Sequence, residues 1–178
     1  MKKIWMILGM IFFVSGCAVQ GPSLFGGSEK KLTLSDLDEG CKNALPKTLK
    51  GSFGQVKILA AVTQSGDEAN PLSVTARFVM TSFEIPEGIE GIVRYNGTLR
   101  YDPATHTLYF TNLQPISLTF GGNRSLLEYV SPAARRGLPP LVAQALESIP
   151  VYRMEETFGA KSLQSVKVDK ENLLLEFR

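Results

Sequence analysis

Between residues 55 and 120 apolar and polar side chains alternate with a period of two. Val56, Ile58, Ala60 and Val62 alternate with Gln55, Lys57 and Thr63. Leu72, Val74, Ala76, Phe78 and Met80 alternate with Ser73, Thr75, Arg77 and Thr81. Val93, Tyr95, Leu99 and Tyr101 share one face of a third segment, with Arg94, Asn96, Thr98 and Arg100 on the other. In a fourth, Leu108, Phe110, Ile116, Leu118 and Phe120 stay in phase. Ser65-Gly66-Asp67, Asn70-Pro71 and Asp102-Pro103 supply turn chemistry between them. The pattern predicts an antiparallel meander of long strands with one apolar and one polar face. Leu59, Val79 and Tyr109 fall out of phase, as expected where a strand bends or is covered at one end.

Helical spacing flanks this region on both sides. Leu34, Leu37, Cys41 and Leu45 recur every three or four residues; Thr33 or Ser35 can cap the helix, and Asp36, Asp38 and Glu39 lie early, where the dipole favours negative charge. Pro46 lies near its end. Gly121-Gly122 ends the sheet, and Ser125-Leu126-Leu127-Glu128 has capping-box spacing. A helical region runs from there to about Ser148, with Leu127, Val130, Leu138, Leu141, Val142, Ala145, Leu146 and Ile149 as its apolar positions. Pro132 and Pro139-Pro140 must start a new turn or kink it, because proline lacks the backbone donor. Pro150 closes it, and strands at 151–154, 165–168 and 173–177 finish the chain.

The first residues carry a different signal. Lys2 and Lys3 precede the apolar run Ile4 to Val14, and Val14-Ser15-Gly16-Cys17 follows. A run of this length is too short to cross a bilayer, which needs about 20 residues, and it fits the h-region of a secretory signal. The tetrapeptide resembles the bacterial lipobox. The expectation is a signal peptide over residues 1–16, cleavage before Cys17 and a lipid on its thiol that anchors the chain to a membrane. Ala18 stands where an aspartate would favour inner-membrane retention, so the reading is a periplasm-facing envelope lipoprotein, with the outer membrane ahead of the inner. Residues 17–31 read as lipidated cysteine and flexible tether, and residues 32–178 as a single α+β domain.

Composition narrows the partners. The chain has 19 basic and 17 acidic side chains, and two of the basic ones, Lys2 and Lys3, leave with the signal. A balanced mature chain without a basic run argues against nucleic acid. Cys17 and Cys41 are the two cysteines; with one lipidated, no intramolecular disulfide remains.

Tyr101-Asp102-Pro103 between two strands, Pro150-Val151-Tyr152 after the helix, and the closing pattern Ala160-Lys161-Ser162-Leu163, Val166-Lys167-Val168 and Leu174-Leu175-Glu176-Phe177 resemble the YceB-like bacterial lipoproteins, a family catalogued as a domain of unknown function. The likeness spans roughly residues 32–178. It implies a strongly curved antiparallel sheet wrapped around a long helix; the three prolines that interrupt the C-terminal helix here depart from that pattern, and the short N-terminal helix is read from the residues themselves. It also implies half of a tubular lipid-binding architecture, which holds acyl chains between helix and sheet. No catalytic motif comes with it.

Chemistry-bearing residues are sparse. His106 is the only histidine; Asp102 and Ser117 are its conceivable triad partners, but a turn tip neither orients nor shields a base. One histidine and one unlipidated cysteine do not make a zinc set, and nothing calls for a cofactor. Cys41 reads as a small buried hydrophobe. Glu155-Glu156 are adjacent, so on a strand they face opposite ways and read as a solvated end. Arg135-Arg136 could hold a lipid phosphate but fit a solvated helix face at least as well. The candidate ligand-binding strip is apolar: Phe78, Met80, Leu108, Phe110 and Leu118 on the sheet facing Leu127, Val130, Leu141 and Leu146 on the helix. The expected function is non-catalytic binding of an acyl chain or other apolar ligand. The competing expectation is a solid-core module that recruits an envelope protein.

Overall fold

A computed structural model of the chain describes residues 28–67, 69–121, 128, 130–158 and 160–178. The elements run β1 (Ser28–Thr33), α1 (Leu34–Ala44), β2 (Lys47–Gly51), β3 (Gly54–Ser65), β4 (Leu72–Thr81), β5 (Ile89–Asp102), β6 (Thr107–Phe120), α2 (Pro132–Glu147), β7 (Pro150–Arg153), β8 (Leu163–Asp169) and β9 (Asn172–Phe177). Six strands form an open antiparallel sheet in the order β2-β3-β4-β5-β6-β7, and three more form a second sheet, β1-β9-β8. The α+β meander with two helices is therefore the observed fold, with an extra edge strand and an extra sheet.

The large sheet curls around α2. The helix touches β2 and β3 near one edge of the strand order and β6 near the other. Between those edges Tyr95 of β5 reaches it by hydrogen bond. At one end of the curl, α1 packs on β3 and β7. Nearby, Tyr101 of β5 stacks edge-on against Phe177 of β9 with centroids 5.3 Å apart, which joins the second sheet to the core. The capping of α1 follows its sequence closely: Thr33 accepts from Asp36 N–H while the Asp36 carboxylate accepts from Thr33 N–H at 2.7 Å. This reciprocal box satisfies two of the orphan donors that every helix start leaves.

Four local expectations need correction. Residues 28–31, read as tether, belong to β1, which pairs from Ser28↔Phe177 to Thr33↔Asn172. Glu29, Lys30 and Lys31 gave no apolar alternation there because β1 is an edge strand, with Leu32 as its one fully buried side chain. A register shift between Ile58 and Ala60 on β3 swaps the faces beyond it. Ala61 and Thr63 then face inward, and Val62, read as core, is 47% exposed. Another shift, between Arg94 and Tyr95 opposite β6, leaves Ile116 52% exposed although the alternation along the strand puts it in phase with the core. A bulge places one extra residue on a strand and so inverts the alternation past it.

The fourth correction concerns α2. Ser131 caps it, its hydroxyl accepting from Ala134 N–H at 3.1 Å, and Pro132 opens it. Proline suits a first turn because its missing donor would have had no intrahelical partner. The capping box read at Ser125 lies, but for Glu128, outside the described residues. The helix expected from Ser125 thus begins only at Pro132, with Glu128 and Val130 before it, and Pro139 and Pro140 sit inside it.

Candidate functional site

The interior between sheet and helix is where the groove candidates meet. Phe78, Met80, Leu108 and Phe110 from the sheet and Val130 and Leu146 from the helical side are all buried, Phe110 completely at 0% exposure. They belong to one continuous core cluster with Ile58, Val93, Leu138 and Val142. Leu118 and Leu141 are partly buried against that cluster. Leu127 lies outside the described residues. Most of the strip is thus packed core, with apolar side chains filling the concave face of the sheet.

Coverage is incomplete at one end. Leu118 and Phe120 lie on the inner face of β6, opposite Val93 and Gly91. Both remain half-buried while Val93 is sealed. Phe120 meets Phe78 edge-on at 5.9 Å, so the half-open ring continues directly into the closed core. Across the helix, Leu49 and Phe53 are also half-buried, and a Cβ at Gly51 would lie 3.0 Å from Phe53 and 3.2 Å from Leu141. The sequence pattern passes over Leu49 and Phe53 because β2 is five residues long with one apolar side chain. The signal for them is the pair Gly51 and Gly54 around a tight turn; Gly54 has φ of 135°, a conformation that excludes most side chains. Phe83, in the β4–β5 loop at this same end, is 100% exposed.

Polar contacts hold the helix inside the curl. Tyr95 Oη donates to the Pro139 carbonyl at 2.6 Å. Burial pushes the Tyr95 phenol pKa upward, and the nearby Ala143 N–H opposes that push. At the helix end, Lys47 donates to Ser148 Oγ at 2.7 Å. Leu113 N–H donates to the Glu147 carboxylate at 3.0 Å.

Among the described residues, three clefts open outside the strip. One of about 550 Å³ lies between the start of α1 and the end of β3, lined by Leu34, Asp38, Thr63 and Lys170 among others. Its Asp38 carboxylate is engaged in structure, accepting from Thr63 N–H at 2.7 Å and from Thr63 Oγ1 at 2.6 Å. A second, about 540 Å³, lies between α1 and β7 beside Gly40 and Tyr152. A third, about 180 Å³, is lined by Arg77, Glu90 and Phe120 among others. None of the three is lined by a groove candidate.

The conceivable triad does not assemble. Asp102 accepts from Ala104 N–H and Thr105 Oγ1, both at 3.0 Å, and these bonds hold its carboxyl below the usual range. Ser117 is in register with Arg94, far along the hairpin from Asp102, which pairs with Thr107. His106 is a left-handed turn residue, φ 54°, whose carbonyl accepts from Met154 N–H at 2.7 Å. Its Nδ1 is buried and has no hydrogen-bond partner among the described residues. Cys41 is fully buried, and desolvation, helped by the Asp38 charge, pushes its thiol up to about 12. A thiol so rarely ionised is a poor nucleophile.

Glu155 pairs with Lys30 at 2.5 Å, and neighbouring Glu156 is exposed at the start of a short 3-10 turn. Arg135 donates through Nε to the Val130 carbonyl at 3.1 Å, and both Arg135 and Arg136 are exposed. Among the described residues no helix is long and apolar enough to cross a membrane. Compared with known proteins, the chain matches no family model and no curated protein.

Proposed function

We propose that this chain is a membrane-tethered, non-catalytic lipoprotein domain that binds an acyl chain or a similar apolar ligand between the curled sheet and α2. The ligand enters beside β6. The observation that carries this reading is the uneven coverage of the inner face: Leu118 and Phe120 stay half-open and lead straight to the sealed Phe78. Apolar pockets with few polar groups are the usual form of lipid and small-molecule sites. The lipobox at Val14 to Cys17 supports the tether, and the likeness to YceB-like lipoproteins supports the container.

A second reading has its own observation. Phe78, Met80, Leu108, Phe110 and Leu146 are closed to solvent, as in a solid-core module whose partner is an envelope protein. Native mass spectrometry of the chain carrying Cys17→Ser, before and after exposure to phospholipid, separates the two. A co-purifying or acquired lipid that Phe120→Glu abolishes, with the melting temperature kept, supports ligand binding. A bare mass under all conditions would sink it in favour of the module.

A further inference from the structure

The strands of the large sheet carry Lys47, Lys50, Lys57, Arg77, Arg94, Arg100 and Arg153 against two acids, Glu90 and Asp102. This imbalance sits in a chain whose net charge is only +2. The registers show how the cations are arranged. Lys50 pairs with Gln55, and Lys57 is two residues further along β3. Lys57 pairs with Val79, and Arg77 is two residues further along β4. Arg77 pairs with Ile92, and Arg94 is two residues further along β5.

Lys50, Lys57, Arg77 and Arg94 therefore form one diagonal across four adjacent strands, each the diagonal neighbour of the next. Successive members are about 8 Å apart, from the spacing of strands and of alternate residues. All four are exposed on the face away from α2, and among the described residues none of them is in an ion pair. Hydroxyls of Thr48, Thr75, Ser117 and Thr119 and the exposed Val62 and Ile92 border the diagonal. Two acids lie on the strands of that face: Glu90, one rung from Arg77, and Asp102, at the far end of β5 from it.

We propose that this outer face docks on an anionic phospholipid surface, with Lys50, Lys57, Arg77 and Arg94 as a linear set of headgroup contacts. Like charges set side by side on a sheet repel one another, and a layer of phosphates relieves that repulsion. Clusters of four or more Lys and Arg beside a bilayer gain attraction from anionic lipid that isolated cations lack. Reach is sufficient on the tether reading. Arg94 lies seven residues along β5 from Tyr101, about 24 Å, and Tyr101 packs on Phe177, the partner of Ser28. The eleven residues from Cys17 to Ser28 span up to about 36–40 Å.

The test uses the chain from Ala18 onward, which lacks both the apolar leader and the lipidated cysteine, and vesicles of phosphatidylcholine alone or mixed equally with phosphatidylglycerol. Co-sedimentation should require phosphatidylglycerol and fade with added salt. Arg77→Gln with Arg94→Gln should weaken it about tenfold or more, with circular dichroism and melting unchanged because both side chains are exposed. Lys42→Gln, on α1, should leave it intact. Equal binding to both vesicles, or undiminished binding by the double variant, overturns the proposal. So does binding to polyglutamate without binding to vesicles, which would give the face to an acidic protein. The apolar-ligand reading has a separate fate, since loss of vesicle binding leaves lipid uptake untouched and the reverse holds too.

Discussion

Tyr95, on an interior strand of the curled sheet, donates its hydroxyl to the carbonyl of Pro139, inside the helix that the sheet surrounds, at 2.6 Å. Prolines at 139 and 140 remove two helical donors, which leaves the carbonyls one turn earlier without their usual partners. The same stretch of helix is pinned by Tyr95 rather than by its own ladder alone. The bond thus links the sheet to the helix where the helix is weakest.

Tyr95→Phe removes only this oxygen. The ring stays in the core, where Tyr95 is fully buried, and the Pro139 carbonyl loses a donor. The expected cost is about 1–2 kcal/mol, the range for leaving a buried carbonyl short of a partner. Urea unfolding should show a lower midpoint with an unchanged slope. A midpoint equal to wild type would mean that Ala143 N–H alone satisfies the carbonyl.

Phe110 tests whether the strip is core at its centre. It is completely buried and shares the cluster with Leu108 and Leu146. Phe110→Ala should cost about 3–5 kcal/mol, and Phe110→Glu should prevent folding, because a carboxylate cannot be buried unpaired. Circular dichroism of the two variants decides this. A folded Phe110→Glu would place an open, wet channel at this position and remove the picture of a packed floor.

Cys41 gives a pH dependence with a definite sign. Burial raises its thiol from an ordinary 9.0 to about 12 in the folded chain. Below pH 9 both states hold the proton and the stabilising contribution is complete. As pH rises from 9 towards 12 the unfolded chain ionises first, so stability falls. In the Cys17→Ser chain, Cys41→Ala should flatten that decline. Native protein should also resist a thiol reagent until denaturant is added. Rapid labelling without denaturant would contradict the burial.

The alternation that made β3 to β6 readable is a property of neighbouring residues, and so it survives in the sequence. The same is true of the Thr33–Asp36 box. The bulges at Ile58/Ala60 and Arg94/Tyr95 depend on which residue faces which across a ladder, and that is set between strands. β1 was hidden for a similar reason: its buried pairing surface comes from Leu173 and Leu175 of β9, far along the chain. The strip Phe78, Met80, Leu108, Phe110 was legible as apolar, but its closure is a matter of packing. The cationic diagonal was invisible because its members lie seven to twenty residues apart in sequence and meet only through three registers.

Gly40 decides how closely α1 can approach β7. A Cβ there would lie 2.0 Å from the Val151 carbonyl oxygen and 2.5 Å from its carbon, far inside contact distance and against backbone that cannot rotate away. An exposed helical glycine usually gains about 1 kcal/mol on becoming alanine. Here the sign reverses, because α1 must lift off the strand that carries Val151 and the buried Leu37 and Cys41 lose their packing. Gly40→Ala should cost about 1–3 kcal/mol or more, the range for overfilling a packed interior. The lifted helix should also expose Cys41, so the variant's thiol reacts faster in native buffer. Thermal melting and thiol labelling together check the idea: a variant as stable and as unreactive as wild type would show that α1 does not lie against β7 at Gly40.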